Sequence, residues 1–137
     1  MKVTVLAVGR LRSPFADDVA HYERLLARHA KVEVVEVRED EQLARRVPGR
    51  AFVSLLDAEG ATMDSVAFSG FLEERRMAAR DLCFVIGGPF GHAGDQVRAD
   101  HRLSLGPMTL PHQLARVVLL EQLFRAHKIL AGEPYHR

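Results

Sequence analysis

Five short runs rich in β-branched and aliphatic residues, Lys2–Val8, Lys31–Val37, Ala51–Leu56, Leu82–Ile86 and Arg102–Leu105, alternate with polar segments, most of which carry a helical period. That alternation constrains the fold most, because strands interleaved with helix-period segments form a parallel sheet covered by helices on both faces. The expected class is α/β. A chain of 137 residues suits one core, so a single domain over 1–137 is expected.

Local signals set the expected element ends. Ser13 offers an N-cap with Pro14 at the first helical position, and Phe15, Val19, Tyr22 and Leu26 predict an amphipathic helix to about His29. Asp40–Val47 is a short helix at most, closed by Pro48-Gly49. Asp57-Ala58-Glu59-Gly60 reads as the turn ending the third strand, ahead of a helix from near Asp64 to about Ala79. Asp95–Asp100 is expected to be a short helix. The longest helix runs from Pro111 to Ala131, with Gly132 as its C-terminal cap and Pro134 blocking continuation.

In that last helix Leu114, Val117, Val118, Leu119, Leu120, Leu123, Phe124, Ile129 and Leu130 project around most of the circumference. A helix apolar on all sides must be buried on all sides. One domain core covers one face, so the other is expected to meet a second copy across a two-fold axis, with burial inside one subunit as the alternative.

Composition excludes several classes. Hydrophobic residues make up 47% and charged residues 27%, ordinary for a globular chain. The net charge of +1 carries no global nucleic-acid signal, so any nucleic-acid contact must be local. The last 40 residues, 98–137, hold 6 Lys/Arg against 3 Asp/Glu and add four histidines, which makes them the better side to meet phosphate. The single cysteine, Cys83, lies in an apolar run and reads as a core residue. The longest aliphatic run of the last helix, Val117–Leu120, is far short of the ~20 residues that cross a bilayer, and no membrane partner is expected. Met1-Lys2 leads straight into a strand instead of a signal peptide, so the cytoplasm is the expected location. The five histidines after residue 90 lack metal-ligand spacing, and no metal is expected.

Ligands of open parallel α/β sheets bind beyond the carboxyl ends of the strands. Two loops fall there. The first, 87–94, has four glycines in eight residues, in the pattern Gly-Gly-x-x-Gly-x-x-Gly. It fits neither the dinucleotide fingerprint nor the Walker loop, but it suits close backbone approach to a ligand. The second, Leu105-Gly106-Pro107-Met108-Thr109-Leu110, has an irregular backbone suited to reading an adenine edge, with Met108 and Leu110 available for its faces. Taken alone, it is equally an ordinary strand-to-helix loop.

Ile86-Gly87-Gly88-Pro89-Phe90-Gly91, the segment from Leu103 to Gln113, the segment from Arg116 to Ala126, and Pro134-Tyr135-His136-Arg137 closely resemble the RlmH family of SPOUT methyltransferases. Leu6-Ala7-Val8-Gly9 matches as well, and the resemblance spans almost the whole chain. It implies a homodimer with a C-terminal trefoil knot and S-adenosylmethionine bound in a bent form by the knot loops. The implied reaction is methylation of N3 of a pseudouridine in large-subunit (23S) ribosomal RNA, on the assembled ribosome. Carried over by position, the implied cofactor contacts are Leu56, Gly87 with Gly88, and Leu105, Gly106, Pro107, Met108, Thr109 and Leu110.

The chain departs from the family pattern twice. The stretch between Val37 and Ala51 is shorter than usual, read as trimming a peripheral helix and leaving the cofactor loops alone. Phe90 stands where an acidic or polar residue is common, so no side-chain role is expected there.

For catalysis, N3 lies between two carbonyls and is weakly acidic, so a modest base or a nearby cation suffices. The expected catalytic tail is His136, supported by Tyr135 and Arg137, reaching the cofactor of the opposite subunit. Arg125 and Arg116 are candidates for phosphate or the anionic base, with an Arg125–Glu121 ion pair at i,i+4 as the structural alternative. Two competing functions share these motifs: a non-catalytic RNA- or ribosome-binding dimer, and the same chemistry on transfer RNA.

Overall fold

The computed structural model describes residues 1–89 and 91–136, with only the backbone of His136; Phe90 and Arg137 lie outside the described residues. Strands β1 (Lys2–Val8), β2 (Lys31–Val37), β3 (Phe52–Thr62), β4 (Leu82–Ile86) and β5 (His101–Ser104) form one sheet in the order β2-β1-β4-β3-β5. Every pairing is parallel, as the alternation of strand and helix signals requires. Helices are α1 (Phe15–Leu26), α2 (Leu43–Arg46), α3 (Ser65–Met77), α4 (Ala93–Gln96) and α5 (His112–Leu130), with 3-10 turns at Asp40–Gln42 and Pro134–His136.

Strand alternation divides the core in two. Val3, Val5 and Ala7 of β1 and Leu82, Phe84 and Ile86 of β4 face α1, α3 and α5, meeting Val19, Leu26, Phe68, Phe71, Leu72, Leu119, Leu120 and Leu123. Leu6, Val8, Cys83 and Val85 point the other way, with Val53 and Leu55, onto Leu43, Ala93 and Val97. Helices thus cover both faces, but unequally: the second is closed by the one-turn helices α2 and α4 and by loops. Cys83 is fully buried, and burial pushes its thiol up to about 12, which keeps it an inert core group.

Three local expectations need correction. Ser13 does not cap α1; Pro14 takes the cap position without a side-chain bond, and the Ala16 N–H is satisfied by the Arg12 carbonyl at 3.0 Å. The segment Asp57-Ala58-Glu59-Gly60 does not end β3 but bulges from it, since Leu56 and Ala61 both align with Leu103 of β5. Turn chemistry is present there, with the Asp57 carboxylate accepting the Glu59 N–H at 2.9 Å, yet the strand resumes beyond it. Gly60 permits this, because a Cβ there would sit 2.6 Å from the Arg102 carbonyl group. The short helix expected at Asp95–Asp100 occupies Ala93–Gln96 instead. Asp100 is drawn into the sheet, where its carboxylate accepts the Val53 N–H and its own N–H reaches the Val53 carbonyl, both at 2.9 Å.

In α5 the domain core covers one face, as expected. Leu119, Leu120, Leu123 and Phe124 are buried against the sheet, α1 and α3, whereas Leu114, Val117, Val118 and Ile129 are half-buried and Leu130 is 41% exposed. Within the chain the helix is therefore covered on one side only. Gly132, at φ +76°, closes it as expected: its N–H reaches the Ile129 carbonyl and that of Glu133 reaches Lys128.

Candidate active site

The carboxyl ends of β3, β4 and β5 converge on one cavity of about 700 Å³. Both expected loops line it. Gly87, Gly88, Pro89 and Gly91 come from the loop after β4, and Leu105, Gly106, Met108, Thr109 and Leu110 from the loop after β5, with Leu56 of β3 between them. Pro107 does not reach the wall.

The glycine loop is gripped from three sides. A Cβ on Gly87 would lie 2.7 Å from the Ala93 Cβ of α4, and one on Gly88 3.1 Å from a Val8 methyl of β1. From the third side the Asp40 carboxylate, only 7% exposed, accepts the Gly88 N–H at 3.1 Å. The shortened stretch between Val37 and Ala51 therefore does not leave the loop alone, as its sequence position suggested. It supplies one of the loop's anchors.

Ser104 performs the matching task for the second loop. Its buried hydroxyl accepts the Gly106 N–H at 3.0 Å and lies 3.0 Å from the Ala58 carbonyl oxygen, joining the loop to the β3 bulge. Asp57 and Arg102 also line the cavity and pair with each other at 2.8 Å. The Asp57 carboxyl is held below its usual range, first by the Glu59 N–H and then by Arg102. None of Asp40, Ser104, Asp57 and Arg102 stood out in the sequence. The one available signal was Asp57-Ala58-Glu59-Gly60, read as a turn.

His112 borders the cavity at the start of α5 with its Nδ1 buried and without a partner among the described residues. Its pKa is lowered, by burial first and by Arg116 second.

The catalytic candidates divide. Arg116 is fully buried, donating to Glu36 at 2.5 Å and to the Gly9 carbonyl at 3.0 Å, so it braces α5 against β1 and β2 and is not available to phosphate. Arg125 forms the two-pronged pair with Glu121 anticipated from their spacing, at 3.1 and 3.0 Å, and also donates to the Tyr135 carbonyl at 3.1 Å. Tyr135 folds back on α5, its hydroxyl 3.2 Å from Glu121 and its ring edge-on to Phe124 at 4.9 Å. Neither Arg125 nor Tyr135 lines the cavity. The His136 side chain and Arg137 lie outside the described residues.

The family model described as "Predicted SPOUT methyltransferase" matches residues 1–136. The chain belongs to the SPOUT methyltransferase family. Among this SPOUT protein's relatives is "Ribosomal RNA large subunit methyltransferase H" of Gemmatimonas aurantiaca, 43% identical with all of both chains covered. Proteins of the same name from Carboxydothermus hydrogenoformans, 35% identical over all of both chains, and Nitratidesulfovibrio vulgaris, 42% identical over 96% of each, are similar as well. The cavity thus lies in a SPOUT chain whose relatives match it from end to end. No helix among the described residues is long and apolar enough to cross a membrane, and no group of potential metal ligands is present among them.

Proposed function

We propose that this chain is an S-adenosylmethionine-dependent methyltransferase acting on N3 of a pseudouridine in large-subunit ribosomal RNA. The observation that carries the reading is the convergence of the 87–91 and 105–110 loops on one cavity at the carboxyl end of the sheet, in a chain whose full-length relatives bear the name of a ribosomal RNA methyltransferase.

The cavity suits this cofactor. Its volume falls within the roughly 300–1,000 Å³ of small-molecule sites, and its wall combines aliphatic side chains with loop backbone. Leu56, Gly87, Gly88, Leu105, Gly106, Met108, Thr109 and Leu110 would hold the cofactor, with Pro107 shaping the second loop behind the wall. When bound, the cofactor supplies an electrophilic methyl group. The protein's part is to orient the acceptor in line with it and to take the N3 proton.

The group proposed to act on that proton is His136, with Tyr135 and Arg125 as its local support. Arg125 holds the Tyr135 carbonyl while Glu121 meets the Tyr135 hydroxyl, so the start of the tail is fixed on α5. Since Tyr135 does not line its own subunit's cavity, the reading includes a homodimer in which each tail completes the partner's site. The half-covered apolar side of α5 supports that association. A C-terminal trefoil knot, a single catalytic domain over 1–137 and action on the ribosome in the cytoplasm belong to the same proposal.

The deciding experiment maps ribosomal RNA by mass spectrometry from cells with and without the gene. One pseudouridine of the large-subunit RNA should lose a single methyl group in the deletion strain and regain it on complementation. An unchanged large-subunit map with a lost methyl on transfer RNA would move the substrate, and no change in either would remove the enzyme reading.

A further inference from the structure

Among the described side chains on the cavity wall, Asp57 and Arg102 alone carry a full charge at neutral pH. The rest are aliphatic residues, glycine, proline, methionine and threonine, together with His112, which burial biases toward its neutral form. Both charged groups stand on adjacent paired strands: Asp57 at the start of the β3 bulge and Arg102 on β5, next to the aligned residues Leu56 and Leu103.

Their placement is built in on both sides. One Asp57 oxygen accepts the Glu59 N–H at 2.9 Å and the other accepts from Arg102 Nη1 at 2.8 Å. On its other side the guanidinium lies against Gly94, where a Cβ would sit at ordinary contact distance, 3.5 Å from Nη1 and 3.7 Å from Nη2.

A charge moved from water into an apolar cavity is costly unless it is paired there. This wall offers both signs side by side in one place. We propose that Asp57 and Arg102 form the subsite for a zwitterionic α-amino-acid end of the ligand, Arg102 taking the carboxylate and Asp57 the ammonium. The assignment rests on the S-adenosylmethionine reading above and adds two residues to it. Opening the existing pair costs little, because the side chains are 51% and 28% exposed and such half-solvated pairs are weak. The ligand replaces one ion pair by two, and the planar guanidinium fork matches a carboxylate with two parallel hydrogen bonds.

S-adenosylhomocysteine and 5′-methylthioadenosine test this, because they share adenine, ribose and thioether and differ in the amino-acid chain. Their affinities should be measured by calorimetry on the wild-type chain and on Arg102→Ala, Arg102→Lys and Asp57→Asn. The wild type should favour S-adenosylhomocysteine. Arg102→Ala should weaken that ligand by roughly tenfold, the scale of a lost charge-assisted hydrogen bond, and leave 5′-methylthioadenosine unchanged. Asp57→Asn should shift the ratio in the same direction, and Arg102→Lys should fall between, keeping the charge without the fork. Parallel losses for both ligands would make the pair a strut of the bulge and overturn the proposal, as would no loss for either, while the cofactor reading stands. A wild-type chain that binds neither compound would remove the cofactor reading and the subsite with it.

Discussion

The Asp40 carboxylate accepts the backbone N–H of Gly88 at 3.1 Å across 48 positions of sequence. The contact joins the 3-10 turn after β2 to the loop after β4, reaching past β1, which separates β2 from β4 in the sheet. Asp40→Ala should cost roughly 1–2 kcal/mol in chemical denaturation by leaving the Gly88 N–H without its acceptor. It should also weaken S-adenosylmethionine binding by loosening the loop. Asp40→Asn keeps a carbonyl oxygen in place and should recover most of both. If the asparagine variant fared as badly as the alanine one, the negative charge and not the hydrogen bond would be what matters.

Arg116 and Glu36 should respond unequally to substitution. The Arg116 side chain is fully buried, whereas that of Glu36 is 36% exposed and also accepts the Leu11 N–H at 3.0 Å. Glu36→Ala strands a buried guanidinium with only the Gly9 carbonyl and should cost about 3–5 kcal/mol. Arg116→Met leaves a carboxylate that water can reach, so its cost should be smaller by at least about 1 kcal/mol. Equal denaturation midpoints for the two variants would contradict this asymmetry.

Deleting Tyr135–Arg137 should abolish methylation of ribosomal particles while leaving S-adenosylmethionine binding nearly intact, because Tyr135 packs on α5 and not on the cavity wall. Radiolabelled methyl transfer and calorimetry on the same preparation separate the two effects. Full activity in the truncated chain would sink the proposed role of the tail.

His127 gives a pH signature. Its ring stacks on His29 at 6.4 Å, its Nε2 is buried without a partner among the described residues, and its pKa is lowered, by burial first and by His29 second. With the folded value depressed, the unfolded chain binds the proton more readily. The stability that His127 contributes is therefore present above the ordinary histidine pKa of about 6.5 and is lost as pH falls below it, levelling at the lower folded value. The stability difference between the wild-type chain and His127→Phe should shift toward the variant between neutral pH and about pH 5. A difference independent of pH would show that His127 titrates alike in both states.

The sequence was most legible where one periodicity ruled a whole segment. The run Lys2–Val8 and the helix beginning at Asp64 appear where their patterns put them, the latter capped by the Asp64 side chain on the Ala67 N–H at 2.7 Å. Legibility failed where a distant partner outcompeted the local signal. Ser13-Pro14 reads as a cap, but the Arg12 carbonyl takes the bond. Asp57 to Gly60 reads as a strand end, but β5 recaptures the chain at Ala61.

For the site the same division holds. Glycine spacing and the position of two loops after strands are one-dimensional facts, and from the sequence alone they located both loops at the ligand end of a parallel sheet and, by resemblance, named the chemistry. Which side chains brace those loops is a three-dimensional fact. Asp40 and Gly88, Ser104 and Ala58, and Asp57 and Arg102 are each more than 40 residues apart in the chain. A hydrogen bond needs its partners within about 3 Å, and no local pattern records that closeness until the sheet has set its strand order and register. The tertiary structure alone decided that Arg116 is a buried strut, that Arg125 holds the Tyr135 carbonyl, and that the charge on the cavity wall, among the described side chains, is confined to one pair.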